Sequence, residues 1–171
     1  MAKTIPTDAK NEAPIHDALH RIRSASDTQT RLKLIQDLIE NPAPWVCDVL
    51  LECLDEASEK IRSLIIKALS EREDLDLESV YSQLTALHWY TKSGSLRILG
   101  LRRDPRSVKR IGPVLADPNT DVRVQAGWAL GEIGGEESLA LLARLVQDSN
   151  NFVRVSAEKA LQKASDLKFT G

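Results

Sequence analysis

The chain has 171 residues, of which 42% are apolar, 28% charged and only 4% aromatic, and its formal net charge is −2. This length suits one compact domain or a short repeat array, and the scarcity of aromatic residues favours packed helices over a β-sandwich. The slightly negative charge disfavours a dedicated nucleic-acid binder, whose affinity would need a basic surplus.

The two ends of the sequence differ from its middle. Residues 1–13 and 165–171 lack apolar periodicity and are predicted as a disordered N-terminal tail and a C-terminal tail around a repeat domain, 14–164. No stretch of about 18 consecutive residues is apolar, so no membrane span is expected. The two cysteines are too few for a disulfide framework. A cytoplasmic protein is therefore expected.

Along the chain, apolar residues recur at the spacing of helix faces, and breakers separate the segments. First helices of five units are marked in turn by Leu19 and Ile22, by Leu50, Cys53 and Leu54, by Leu77, Val80 and Leu84, by Val108, Ile111 and Val114, and by Leu139, Leu142 and Leu145. Second helices are predicted near 29–40, 59–71, 90–102, 121–133 and 152–164. Pro or Gly pairs such as Asn41-Pro42 and Gly134-Gly135 lie between helices. Because no strand-like alternation occurs, the chain is predicted to be all-α.

The units are copies of one another at an offset of about 31 residues. Residues 117–130 and 148–161 share an Asp, a Val-Arg-Val, an Ala and an Ala-Leu at that offset. Earlier units keep parts of the pattern, because Leu99-Gly100 matches Leu130-Gly131. A repeat period in this range indicates stacked supersecondary units.

This pattern resembles the HEAT repeat family, most closely the short bacterial HEAT-like repeats of phycobilisome lyases. The resemblance is carried by Asp117-Pro118, Asp121-Val122-Arg123, Ala126, Ala129-Leu130-Gly131 and Ile133-Gly134, with Pro113 in a first helix. It is specific over about 95–164 and weaker over 15–90, where Lys92 replaces the Arg. It implies a right-handed α-solenoid, an α-α superhelix of about five helical hairpins.

Two features of the repeat are assigned structural roles. The turn Asp and the Arg at the start of each second helix suit caps and an ion-pair ladder along the loops. The ladder arginines are Arg31, Arg62, Arg123 and Arg154. Alanines at 126, 129, 157 and 160 are expected to let facing helices approach closely.

A partner site is predicted on the second helices, which line the concave surface in the family. With Val122, Ala126 and Ala129 buried, the open stripe of that helix is Asp121, Gln125, Trp128 and Glu132. Translation through the repeats gives the candidate partner-binding residues Lys67, Tyr90, Arg97, Trp128, Phe152 and Lys159. Aromatic residues beside cations are typical of binding hot spots, although local packing of Trp128 on Arg97 is an alternative interpretation.

A second candidate patch is basic and lies at the loop and first helix of unit four. Its members are Arg102, Arg103, Arg106, Lys109 and Arg110. An acidic run over 71–78 precedes it, so pairing between adjacent loops is the competing explanation.

No catalytic or metal site is predicted. His16 and His20 have a spacing that can hold a metal, but no third ligand accompanies them. The related deoxyhypusine hydroxylases hold two irons with His-Glu pairs, and this sequence has no His-Glu dipeptide. Cys47 and Cys53 fall at core positions of their helix. The chain is therefore expected to be neither an enzyme nor a cofactor protein.

The leading hypothesis is a protein-interaction module, such as an adaptor, chaperone or assembly factor. Its partner would be a protein or peptide with acidic and apolar groups. The first alternative, implied by the resemblance to phycobilisome lyases, is an accessory that handles a bilin tetrapyrrole or its carrier protein. The second is a DNA-binding HEAT-like protein, which the net charge disfavours.

Overall fold

The computed structural model describes residues 9–168, which form ten α-helices and contain no β-strand. The helices are α1 (Ala9–Ser24), α2 (Thr28–Ile39), α3 (Trp45–Glu52), α4 (Glu59–Glu71), α5 (Leu77–Ser82), α6 (Trp89–Arg102), α7 (Ser107–Ile111), α8 (Thr120–Ile133), α9 (Gly135–Leu145) and α10 (Asn151–Lys168). Short 3-10 turns, Cys53–Asp55, Gln83–Thr85 and Gly112–Ala116, follow α3, α5 and α7. The all-α prediction is confirmed, and each predicted second helix begins within one residue of the observed start.

Helix extends past both predicted domain boundaries. The first helix begins at Ala9, before the predicted boundary at residue 14, and the last runs to Lys168 rather than 164. Residues 1–8 and 169–171 of the predicted tails lie outside the described residues. Within residues 9–168, no helix combines the length and apolar character that crossing a membrane requires.

Side-chain caps explain where several helices begin. The Asn119 side chain accepts hydrogen bonds from the backbone N–H groups of Asp121 (2.8 Å) and Val122 (3.3 Å), and Asn150 does the same one unit later. Asp27 caps α2 by accepting from Thr30 N at 2.8 Å. Such caps satisfy backbone donors that a helix start leaves unpaired.

The first helices of the middle units are short, and α7 has five residues. Pro113 lies at the start of the following 3-10 turn. The missing backbone N–H of proline is tolerated at this position. The same kind of 3-10 turn follows α3 and α5, which have no proline there, so the turn belongs to the repeat and Pro113 is compatible with it.

The hairpins stack in chain order. The second helices pack successively, α2 on α4, α4 on α6, α6 on α8 and α8 on α10, and the elements in substantial contact belong to the same or adjacent units. One continuous apolar core runs from Leu19 to Ala164. The molecule is thus an α-solenoid of five HEAT-like hairpins.

Small residues bring the second helices together. Ala126, Ala129, Ala157 and Ala160 are all buried, as predicted. A Cβ atom added to Gly131 would lie only 3.1 Å from the Cα atom of Ala160 on α10. Helices α8 and α10 can approach this closely because position 131 has no side chain.

An ion-pair ladder joins the loops of successive units. A base on one second helix pairs with an acid in the following unit's loop in three cases: Arg31 with Glu56 (2.9 Å), Lys92 with Asp117 (2.7 Å) and Arg123 with Asp148 (2.8 Å). Arg62, Arg123 and Arg154 also donate to carbonyl groups of the loop before their own helix. The predicted structural role of these arginines is confirmed.

Candidate protein-interaction site

A groove of about 220 Å³ opens in the middle of the stack, between α4, α6 and α8. All of its described lining residues lie on second helices, so it belongs to the face where the partner site was predicted. Its lining residues include Arg62, Trp89, Tyr90, Ser93, Arg97 and Gln125. We refer to it as the central groove.

Aromatic rings form the end of the central groove where α6 begins. Tyr90 stacks on His88 with ring centroids 5.1 Å apart and planes 5° apart, and meets Trp89 edge-on at 5.7 Å. The guanidinium carbon of Arg62 lies 5.1 Å from the centroid of Tyr90. Offset stacking and cation–π attraction both hold the Tyr90 ring, so its position is well determined. Trp89 remains 43% exposed.

Polar groups complete the groove. Arg97 lies 3.8 Å from Glu59, and both side chains are substantially exposed. Such a pair contributes little to stability, so Arg97 can turn to another acid at small cost. The Ser93 hydroxyl is enclosed and has no hydrogen-bond partner among the described residues. An enclosed hydroxyl without a partner is a group that a bound molecule could satisfy.

The predicted residues are only partly brought together. Tyr90 and Arg97 line the central groove. Lys67 on α4 and Lys159 on α10 are exposed elsewhere along the stack. Phe152, at the start of α10, is 61% exposed.

The Trp128 side chain contributes to packing between helices, whereas a partner-binding anchor would be exposed. Its side chain is half-buried and packs against the core. A Cβ atom added to Gly100 on α6 would lie 2.6 Å from the Trp128 ring. The ring therefore covers Gly100 and joins units three and four.

The assignment of Glu132 to the open stripe is wrong. Glu132 is only 6% exposed, and its carboxylate pairs with Arg103 at 3.0 Å and with Lys163. Burial raises the pKa of Glu132, but hydrogen bonds from Lys163 and Arg103 outweigh it and hold the pKa below its ordinary value. The two cations come from the flanking units, which the repeat register of α8 alone does not reveal.

The basic patch of unit four is largely engaged within the chain. Arg102 donates to the carbonyl oxygen of Arg72 at 2.8 Å, which covers the end of α4. Arg106 pairs with Asp104, and Arg110 pairs with Glu78 at 2.9 Å and lies over Tyr81. Arg103 is held by Glu132. The acidic and basic loops thus pair with each other, and Lys109 lines the grooves between them.

Arg62, Trp89 and Ser93 are among the groove residues that the sequence did not identify as partner-binding. Arg62 was assigned to the ladder alone, and Trp89 and Ser93 were given no binding role. Trp89 could have been found, because the other units carry Thr or a polar residue at its position. Ser93 has no signal in the repeat pattern.

The titratable side chains form no obvious metal site. Among the described residues, no group of three or more His, Cys, Asp or Glu side chains could hold a metal ion. His16 and His20 lie exposed on α1, and His88 precedes α6. Burial raises the pKa of Cys47 to about 11 and that of Cys53 to about 12, which keeps both thiols protonated.

The stacked hairpins define an α-helical repeat protein whose second-helix face carries an open groove. A family model of HEAT repeats matches residues 77–162, which is 86 of the 171 residues. The chain belongs to the HEAT repeat family. The comparison with curated protein sequences gives no match.

Solved structures share the fold at low sequence identity. An engineered protein has a TM-score of 0.52 at 16% identity, over 89% of this chain and 79% of that one. A second engineered protein has a TM-score of 0.51 at 16% identity, over 87% and 80%. Human deoxyhypusine hydroxylase, in complex with glycerol, has a TM-score of 0.57 at 20% identity, over 91% of this chain and 64% of the enzyme. These similarities concern the fold alone.

Proposed function

We propose that this protein is a non-catalytic interaction module that binds a partner protein on its second-helix face, with the central groove as the contact site. One observation carries the proposal: exposed Trp89, a well-held Tyr90 and a weakly paired Arg97 meet in the middle of the stack. Tyr, Trp and Arg near the centre of a surface are the side chains that dominate protein interfaces. An adaptor, chaperone or assembly factor would use such a surface.

The size and charge of the groove support a protein surface over the alternatives. Its volume of about 220 Å³ is small for a bilin, because small-molecule sites enclose roughly 300–1,000 Å³. Glu59 and Asp121 line it beside Arg62 and Arg97, so it offers no basic track for a nucleic-acid backbone. The lack of a His-Glu dipeptide argues against hydroxylase chemistry.

Affinity capture with a matched pair of charge reversals tests the proposal. Arg97→Glu places an acid in the central groove, and Arg144→Glu makes the same change on exposed α9. We expect a protein from a lysate of the source cells to be retained by wild type and by Arg144→Glu but released by Arg97→Glu. Equal retention by both variants would place the interaction elsewhere. Circular dichroism of each variant confirms that the fold is intact.

A further inference from the structure

The ion-pair ladder is interrupted at one joint, between units two and three. At this joint the base is Arg62, and the residue at the acid's position in the next loop is Ala86. The backbone of Ala86 (φ −57°, ψ 153°) closely matches that of Asp117 (φ −60°, ψ 137°). The backbone at position 86 therefore matches that at the acid of the next joint, but the carboxylate is missing.

Arg62 has an unused donor at Nε. Its Nη1 donates to the carbonyl oxygens of Glu56 and Ala57, and its Nη2 lies 2.5 Å from Glu59. Its Nε–H has no acceptor among the described residues, whereas in Arg123 the Nε–H is the group that donates to Asp148, at 2.8 Å. Arg62 lines the central groove, with its side chain only 12% exposed. A carboxylate that accepts from this Nε–H would add a charge-assisted hydrogen bond, which is stronger than a bond between neutral groups.

The same turn departs from the repeat in its neighbouring side chains. His88 stands at the cap position and makes no side-chain cap, like Ser58 before α4, whereas Asn119 and Asn150 cap the next two second helices. Leu87 is 92% exposed, and Trp89 is 43% exposed. The residues that correspond to Leu87 are small or proline: Ser26, Ala57, Pro118 and Ser149.

The missing cap and the exposed apolar side chains reduce stability, and the ring contacts of His88 and Trp89 with Tyr90 offset only part of this loss. Loss of a cap costs about 1 kcal/mol, and large apolar side chains remain in water. Sites where a sequence breaks its own local rules in this way are commonly functional. Here two exposed apolar side chains stand in the turn just before Tyr90, whose ring lies beside the Arg62 guanidinium.

We propose that the turn before α6 is the docking point of a partner protein segment that places a carboxylate against Arg62 Nε and an apolar side chain against Leu87 and Trp89. The partner's acid takes the part that Asp148 plays for Arg123. This inference rests on the proposed function and names the chemistry of the partner. A segment with Asp or Glu close to Leu, Phe or Trp fits both features.

The test is to introduce the missing acid into the chain by a substitution at position 86. In Ala86→Asp, the new carboxylate should pair with Arg62, because the backbone at 86 matches that at 117. The variant should therefore melt at a higher temperature and bind the partner more weakly. Ala86→Asn is the matched control, since it has the same shape without the charge.

The probe is a phage-displayed library of random dodecapeptides selected on wild-type protein. Enriched peptides are synthesised with a fluorescent label and titrated against each variant. We expect them to carry an acid near a large apolar residue, to bind Ala86→Asp at least about ten-fold more weakly, and to bind Ala86→Asn within about two-fold of wild type. Changing the peptide's acid to its amide should weaken binding to wild type and have no further effect on Ala86→Asp.

Three outcomes would overturn the inference: equal binding to wild type and Ala86→Asp, enriched peptides without an acid, or no enrichment at all. Arg97→Glu distinguishes this failure from that of the proposed function. If Arg97→Glu weakens partner capture and Ala86→Asp does not, the proposed interaction module stands and only the docking point is wrong. If neither Arg97→Glu nor Ala86→Asp changes partner capture, both the proposed function and the docking point are wrong.

Discussion

The close approach of α8 and α10 makes Gly131 a sensitive test of the packing. In Gly131→Ala, the added Cβ atom would lie 3.0 Å from the Cβ atom of Ala160, 3.1 Å from its Cα and 3.1 Å from its carbonyl oxygen. Two of these three atoms belong to the backbone of α10, which cannot rotate away as a side chain can. The two helices must therefore move apart locally.

Two opposing effects determine how much Gly131→Ala changes the free energy of unfolding. Replacing a mid-helix glycine by alanine favours the helix by about 1 kcal/mol. Overpacking a tight core site costs about 1–3 kcal/mol, and backbone contacts favour the upper part of that range. We expect a net loss of about 1–2 kcal/mol in the free energy of unfolding. For a chain of this size, the melting temperature should fall by about 2–8 °C.

Gly94→Ala is the matched control for Gly131→Ala. Gly94 is also buried within a helix, but its added Cβ atom would meet the Cδ2 atom of Leu54 at 3.1 Å, which is the end of a flexible side chain. We expect it to stay within about 0.5 kcal/mol of wild type, because helix propensity offsets a small adjustment. Thermal and urea unfolding followed by circular dichroism measures both variants. A Gly131→Ala protein at least as stable as wild type would mean that α8 and α10 are not in this contact.

Three further predictions concern the ladder, the thiols and the half-buried tryptophan. Asp148→Asn should lower the free energy of unfolding by about 2 kcal/mol, because Arg123 loses its carboxylate. The hydrogen bond from Arg123 lowers the pKa of Asp148 in the folded state. The stabilisation by the Asp148 carboxylate is thus present above the unfolded pKa of about 4 and is lost as pH falls. In urea unfolding, the difference in the free energy of unfolding between Asp148→Asn and wild type should therefore become smaller in acid. Cys47 and Cys53 should resist an aromatic disulfide reagent at pH 8 until the protein unfolds, since burial raises the pKa of these thiols to about 11 and about 12; rapid native-state labelling, followed by absorbance, would contradict this. Trp128→Ala should lower the free energy of unfolding by about 2 kcal/mol, because its ring packs on α6; an unchanged urea midpoint would show that the ring is free.

The repeat made the fold predictable. A residue such as Arg123 recurs at Arg154 with the same neighbours, so helix starts and core positions could be transferred from the clear units to the weak ones. Caps such as Asn119 act within a few residues, and sequence reveals local interactions of this kind. The extra length of α1 before residue 14 carries no apolar pattern and was therefore missed.

Contacts between units could not be predicted in the same way. Glu132 has an outward position on its own helix, but Arg103 and Lys163 from neighbouring units enclose it. Trp128 likewise covers Gly100 because two helices approach closely there. Periodicity gives the direction of a side chain relative to its own helix. It does not give the partners that the next unit brings.

The candidate site contains some residues that the sequence predicted and some that it did not. Tyr90 and Arg97 were selected by translation through the repeats, and they do line one groove. The importance of Arg62 was not visible, because its unused Nε–H becomes apparent only when its bonding is compared with that of Arg123. Ala86, at the acid's position, could have been noticed from the sequence alone.

The central claim is that a partner protein binds the second-helix face at the central groove. Photo-crosslinking in the source cells tests it most directly, with a benzophenone amino acid placed at Gln125 in the groove or at Arg144 on the first-helix side. We predict a discrete crosslinked protein from position 125 and none, or far less, from position 144. Crosslinks from position 144 alone, or none from position 125, would contradict the account.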